Sequence, residues 1–204
     1  CCCSCCDRFP DRTEEISVEA VREMIRQLDE RKIVVPYVKM FGGEPTLHSR
    51  FNEIYEILLE AAEKGKFQKI IIQTNKAGPK PKIRPSPLAS WSLAPAKLKH
   101  HAPYGWSPVD LGVPFAGPCG IPRRCGFSFD EMGWLPCSPG VMIARLFGYT
   151  HLYRKVLPDP LIPWGADLLC QHCIFVMPRE LFAAPPGILP LKGFSRASRR
   201  DARY

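Results

Sequence analysis

The spacing of apolar residues predicts two helices near the start of the chain. Residues 17–31 carry apolar side chains on one face, which is the pattern of an amphipathic helix, and Ser17 is a suitable N-cap. Residues 49–64 repeat this spacing, and Gly65 is a natural stop for the helix. The first of these helices is expected to pack on the outside of a sheet.

Two short apolar segments predict strands that alternate with these helices. Residues 37–41 fit a brief strand, and residues 69–75 are apolar enough for a strand that is buried on both faces. The alternation of strands and helices is typical of an α/β fold with a parallel sheet.

The regular pattern ends after Asn75. Nine prolines between residues 76 and 118 exclude long helices and central strands, which predicts an irregular segment there. No acidic residue occurs between Glu63 and Asp110, so this segment is strongly basic. Such a segment could bind nucleic acid, but we favour the interpretation that it is a solvated linker. Two explanations for the loss of the βα pattern remain open. Either irregular chain takes the place of further βα units, or residues 79–101 are not native coding sequence.

The last third of the chain has a different pattern. Residues 127–137 fit a hairpin with its turn at 130–133, and the apolar stripe from Val141 predicts a core helix that ends at Gly148. The tail at 181–204 is basic and is expected to be disordered.

Composition narrows the class of protein. The chain has 204 residues, 46% apolar content and a formal net charge of +8. It contains no run of about 18 apolar residues and no signal-peptide pattern, so we expect a cytoplasmic protein with no membrane partner. Without an initiating Met, it is interpreted as a fragment.

Ten cysteines are the strongest indication of chemistry, and five of them lie within the first six residues. Neighbouring cysteines make strained disulfides, so metal or cluster ligation is favoured over a disulfide scaffold.

The sequence Gly42-Gly43-Glu44-Pro45 lies between the first predicted strand and the second helix. Two glycines let a ligand approach the backbone closely, and Glu44 adds one carboxylate. The turn therefore predicts a site for a small ligand with a cationic group, at the carboxyl end of a parallel strand.

The glycine turn and the early cysteines together resemble the radical SAM superfamily, whose members carry C-x3-C-x2-C after one barrel strand and G-G-E-P after the next. The second motif matches in full at residues 42–45. Only the C-x2-C half of the first is present, as Cys2 with Cys5 or Cys3 with Cys6, unless Cys1 is the last ligand of a motif that begins upstream.

The resemblance implies a partial (βα)6 TIM-like barrel, here truncated to a core fragment at 1–75, which makes activity of this chain doubtful. It implies that thiolates bind a [4Fe-4S] cluster, that Gly42, Gly43, Glu44 and Pro45 bind S-adenosylmethionine, and that Thr74 and Asn75 face the site. It further implies reductive cleavage of S-adenosylmethionine to a 5'-deoxyadenosyl radical, with flavodoxin or ferredoxin as electron donor and a peptide or protein as the suggested substrate.

A second cysteine region occupies residues 119–180. Its cysteines are Cys119, Cys125 and Cys137, followed by the C-x2-C pair Cys170 and Cys173. This arrangement resembles the auxiliary-cluster extensions of these enzymes, known as SPASM and twitch domains, and the resemblance implies a second iron–sulfur cluster. Four thiolates suit either such a cluster or zinc, and His172 is an alternative zinc ligand. The candidate ligands are Cys119, Cys125, Cys137, Cys170 and Cys173.

A second function remains open for the whole chain. Paired cysteines and a basic segment also fit a zinc-ribbon protein that binds nucleic acid or a protein partner. The Gly42–Pro45 turn favours the radical SAM interpretation, because the fold of a zinc ribbon does not require such a turn.

Overall fold

The architecture is mixed α/β, with a parallel sheet in the amino-terminal half. A computed structural model describes residues 15–42, 44–74, 76, 78–93, 126–159 and 164–173. Described residues 15–93 belong to one compact unit, and described residues 126–173 belong to a second. The tail predicted at 181–204 lies outside the described residues.

Both helices of the first unit follow the predicted pattern. Helix α1 spans Val18–Glu30, and the side-chain oxygen of Ser17 accepts a hydrogen bond from the Ala20 amide at 3.1 Å. Helix α2 spans Phe51–Glu63. Gly65 follows it with a φ of +80°, a conformation that glycine adopts without strain. Both predicted helices are confirmed. The sequence could predict them because helix caps and apolar faces depend only on neighbouring residues.

The sheet of the first unit consists of three parallel strands in the order β1, β2, β3. They span Val38–Met40, Ile70–Thr74 and Ala89–Leu93. The first two strands confirm the predicted βα order, and their register places Met40 beside Ile72. Their carboxyl ends therefore lie at the same edge of the sheet.

Strand β3 lies within the segment for which the sequence predicted irregular chain, and it corrects that prediction for five residues. Among the described residues β3 pairs with β2 alone, so it is an edge strand there, where nearby prolines interrupt no ladder. The Tyr55 hydroxyl of α2 donates a hydrogen bond of 2.8 Å to the carbonyl of Arg84. This contact holds the chain that leads into β3 against the helix.

Strand β2 is buried on one face only, which corrects the expectation of burial on both. Ile70, Ile72 and Thr74 are buried, whereas Ile71 and Gln73 are partly exposed. Successive side chains of a strand point to opposite faces, and in the described part of the chain only one face of the sheet is fully covered.

The second unit contains the predicted hairpin, with its turn at residues 131–132, and two helices. Leu135, Ile143 and Leu169 form the centre of its core. The first helix begins three residues before the predicted apolar stripe. The elements are β4 (Ser128–Asp130), β5 (Gly133–Leu135), α3 (Ser138–Leu146) and α4 (Ala166–Gln171).

Candidate functional site

Glu44 follows β1 closely, and its side chain is buried at the carboxyl end of the sheet, with 9% exposure. Its Oε1 accepts hydrogen bonds from Thr46 Oγ1 at 2.8 Å and from Thr74 Oγ1 at 2.7 Å. The Thr46 amide donates a third, at 3.3 Å. A buried carboxylate is costly unless donors surround it, so these contacts are what allow an acid here.

Thr74 is the last residue of β2, and 5% of it is exposed. Its Oγ1 also accepts a hydrogen bond from the Lys76 amide at 2.9 Å. Adjacent parallel strands end at one edge of a sheet, and for this reason Thr74 meets Glu44 although 30 residues separate them. The structure thus brings two predicted site residues into direct contact.

Gly42 is exposed and has a φ of +102°, which favours glycine strongly. Among the described residues, no atom lies within 4 Å of the position that a Cβ atom of Gly42 would occupy, so this side of its backbone is clear of the described chain. Pro45 begins a short 3₁₀ turn, Pro45–Leu47, in which Glu44 is the N-cap. Gly43 and Asn75, the other predicted residues of this site, lie outside the described residues.

Two further residues join the loops after β1 and β2, and the sequence analysis did not identify them. A Cβ at Gly78 would lie 2.1 Å from Thr46 Oγ1, so only glycine lets the second loop pack this closely on the first. Thr46 directly follows the Gly42–Pro45 motif, and this position was the one sequence signal that could have identified it. Nothing in the local sequence marks Gly78.

These features give the site a simple chemistry. A fixed carboxylate suits a cationic group, and an exposed glycine beside it offers backbone atoms without a side chain in the way. The site therefore fits a small ligand that carries an ammonium group.

The second unit holds three of the predicted metal ligands. Cys137 directly precedes α3, Cys170 lies in α4 and Cys173 follows it, and none of them forms a disulfide. A Cβ at Gly140 would lie 3.1 Å from Cys137 Sγ and 3.1 Å from Leu169 Cδ1. Gly140 thus lets Cys137 approach the helix that carries Cys170.

No three His, Cys, Asp or Glu side chains form a group that can hold a metal ion within the described parts of the chain. His172 stacks on Phe147 with ring centroids 3.8 Å apart, and its Nε2 lies 3.0 Å from the Tyr149 hydroxyl. The remaining predicted ligands, Cys2, Cys3, Cys5, Cys6, Cys119 and Cys125, lie outside the described residues.

A partly buried polar cluster ties the hairpin of the second unit to its first helix. Asp130 Oδ2 accepts hydrogen bonds from Arg145 Nη2 at 2.8 Å and from the Tyr153 hydroxyl at 3.1 Å. Burial, together with the negative charge of Asp130, raises the pKa of Tyr153 to about 12. Burial by itself lowers the pKa of Arg145. The hydrogen bond with Tyr153 and the negative charge of Asp130 have the larger, opposite effect, so the pKa of Arg145 is raised.

A parallel sheet with a buried acid and a glycine turn at the carboxyl ends of its strands defines an α/β protein, and that edge is where ligand sites of such folds lie. The sequence profile of the Radical SAM superfamily matches residues 2–105, half of the chain. The chain belongs to the Radical SAM superfamily.

Searches of curated proteins and of solved structures found no match. In the described residues, no helix has both the length and the apolar character needed to cross a membrane.

Proposed function

We propose that this chain is part of an enzyme that cleaves S-adenosylmethionine reductively, with a [4Fe-4S] cluster as its cofactor. The observation that carries the proposal is the buried Glu44 carboxylate beside the open backbone of Gly42. Membership of the superfamily supports it, because such enzymes generally use these two cofactors.

The described residues fit the amino-acid end of S-adenosylmethionine. The Glu44 carboxylate would receive the ammonium group, while Gly42, Gly43 and Pro45 would shape the backbone around it. Cys2 with Cys5, or Cys3 with Cys6, would hold the cluster. When bound, the cluster and S-adenosylmethionine supply a carbon-centred radical that abstracts hydrogen from a substrate.

Several finer features belong to the same proposal. The parallel sheet would be part of a (βα)6 barrel, divided as 1–75 for the core fragment, 76–118 for the basic segment and 119–180 for the cysteine-rich region. A flavodoxin or ferredoxin would supply the electron, and the substrate would be a peptide or protein. A second cluster at Cys137, Cys170 and Cys173 would need ligands from outside the described residues.

The test is anaerobic reconstitution, with iron and sulfide, of the protein produced from its full coding sequence. Addition of dithionite and S-adenosylmethionine should give 5'-deoxyadenosine and methionine. A matched sample without dithionite should give neither product. A reconstituted protein that binds iron but neither binds nor cleaves S-adenosylmethionine would contradict the proposal.

The superfamily assignment favours a radical SAM enzyme over a zinc ribbon for residues 2–105, which the profile covers. The parallel sheet agrees with this, since a ribbon built around paired cysteines does not require parallel strands.

A further inference from the structure

We infer that the face of the sheet opposite α2 binds a carboxylate group of a peptide substrate, and that Lys39 is the specificity-determining residue that recognises it. This inference rests on the proposed function and names the chemistry of the substrate on which the cofactors would act.

The strand register defines the two faces of the sheet. Ile70 and Ile72 are fully buried, and Trp91 is the partner of Ile72 in β3. The ring centroid of Trp91 lies 6.5 Å from that of Phe51 in α2, so this face is the one that α2 covers. The alternate positions of the strands lie on the opposite face, which we call the open face. These positions are Lys39, Ile71, Gln73, Ser90 and Ser92.

The open face is unusually polar for a parallel sheet. Such sheets are ordinarily covered on both faces, and both faces are then apolar. Here a lysine, a glutamine and two serines share the open face with one isoleucine, and in the described part of the chain none of these side chains is buried. The open face is therefore better suited to a polar ligand than to another layer of the fold.

Lys39 gives the open face a positive charge, and the three strands that the structure describes contain no acidic residue. Its Nζ lies 5.9 Å from the centroid of the Phe41 ring, within the range of a cation–π interaction. Phe41 directly precedes Gly42, so this contact directs the ammonium group towards the carboxyl end of β1. The charge of Lys39 is thus held towards the edge where the proposed function puts the cofactors.

The contact with Phe41 also prepares Lys39 for binding. The side chain of Phe41 is 52% exposed, so a ligand can reach the lysine and the ring together. A lysine that is already held against a ring loses less conformational freedom when it binds than a lysine that moves freely.

A carboxylate matches the charge of this surface better than a phosphate does. Lys39 provides one positive charge, which balances the single negative charge of a carboxylate, whereas a phosphate group carries a charge of about −1.5 to −2. Neutral groups of Gln73, Ser90 and Ser92 can form hydrogen bonds with the backbone of a peptide. The substrate must also lie in contact with the cofactors for hydrogen abstraction, and the open face leads to their edge of the sheet.

The test uses randomised synthetic peptides, because they require no knowledge of the substrate's sequence. The reconstituted protein, with S-adenosylmethionine present, is incubated with three sets of peptides, which have amidated carboxyl ends, free carboxyl ends, or amidated ends and a phosphoserine. The retained peptides are sequenced by mass spectrometry. Enrichment of Asp and Glu in the amidated set would assign the carboxylate to a side chain. Preferential retention of the set with free ends would assign it to the chain terminus.

Variants of Lys39 test the residue itself. Lys39→Glu should reduce retention of the carboxylate peptides by about tenfold or more and favour basic peptides instead. Lys39→Arg keeps the charge and can stack on Phe41, so retention should stay within about threefold of wild type. Phe41→Leu should reduce retention by about threefold, because the lysine loses its ring contact. Lys80→Glu makes the same charge change at an exposed position outside the strands and should behave as the wild type.

Three results would overturn the inference. An equal loss in Lys39→Glu and Lys80→Glu would show that the peptides respond only to the net charge of +8. Stronger retention of the phosphoserine set, or no enrichment of carboxylates by the wild type, would exclude the assigned chemistry. Formation of 5'-deoxyadenosine in the same samples keeps the proposed function separate. A wild type that cleaves S-adenosylmethionine without preferring carboxylates loses this inference alone, whereas one that neither binds nor cleaves it contradicts the proposed function.

Discussion

His48 Nε2 lies 2.9 Å from the backbone carbonyl oxygen of Ile16, a residue 32 positions earlier in the chain. His48 Nδ1 accepts a hydrogen bond from the Arg50 amide at 3.0 Å. The proton of the neutral ring must therefore lie on Nε2, which donates to Ile16. The amide and hydroxyl of Ser49 also donate to the Glu15 carboxylate. These contacts join the chain before α1 to the loop that carries Glu44.

The change His48→Phe should lower the free energy of unfolding by about 1–3 kcal/mol, because it removes two hydrogen bonds and keeps an aromatic ring. Urea unfolding followed by circular dichroism would measure the loss. His151→Phe, at an exposed position of the second unit, should have little effect. An equal loss in both variants would mean that the contact between His48 and Ile16 contributes nothing specific.

Reconstitution should load iron and sulfide at the amino-terminal cysteines. The loaded protein should show the broad visible absorption of an iron–sulfur cluster, since these thiolates precede Gly42 as the superfamily's motif does. Changing Cys2, Cys3, Cys5 and Cys6 together to Ser should abolish this absorption. Stoichiometric zinc without iron would show that the cysteines serve a different site.

The change Glu44→Ala should weaken the binding of S-adenosylmethionine by about 1.5–3 kcal/mol, the usual contribution of a charge-assisted hydrogen bond. It should also lower stability, since Thr46 and Thr74 lose their acceptor. Calorimetry would measure affinity, with Glu60→Ala as the exposed control. Unchanged affinity would show that Glu44 does not bind the ligand.

Folding of the second unit should depend on metal. Metal ligation by Cys137 and Cys173 would tie the end of the hairpin to the chain after α4. The sequence predicts little regular structure between these cysteines, and the structure corrects this, because α3 and α4 both lie there. Cys173→Ser should reduce bound metal and the melting temperature together. Ala144→Ser places a hydroxyl in the same core and should not change bound metal. Equal metal content in both variants would argue against ligation by Cys173.

Tyr153 should make stability depend on pH in the alkaline range. Its pKa in the folded protein is about 12, above the ordinary value of 10.0. The stabilisation is therefore complete below pH 10 and is lost as the pH rises through about 12, since the unfolded state gives up its proton first. Denaturant unfolding across this window would measure the slope. Tyr153→Phe should flatten it, whereas Tyr37→Phe, at an exposed position, should leave it unchanged.

The sequence by itself determined the local elements of the fold. Helices α1 and α2, the first two strands and the β4–β5 hairpin all lie close to where periodicity and turn residues predict them. Each of these signals depends on residues within a few positions of one another. The motif at Gly42–Pro45 is also local, and for that reason the sequence could assign the candidate site to the loop after β1.

Only the tertiary structure decided which residues meet. Strand β3 alternates apolar and polar residues over only five positions, Ala89–Leu93, and nearby prolines obscured this short signal. Its place in the sheet is decided by its pairing with β2. The contact between Glu44 and Thr74 depends on two strands ending at the same edge, and the packing of Gly78 on Thr46 depends on two loops lying together. Such contacts join residues about 30 positions apart. The chain's topology sets them, and local propensity carries no information about them.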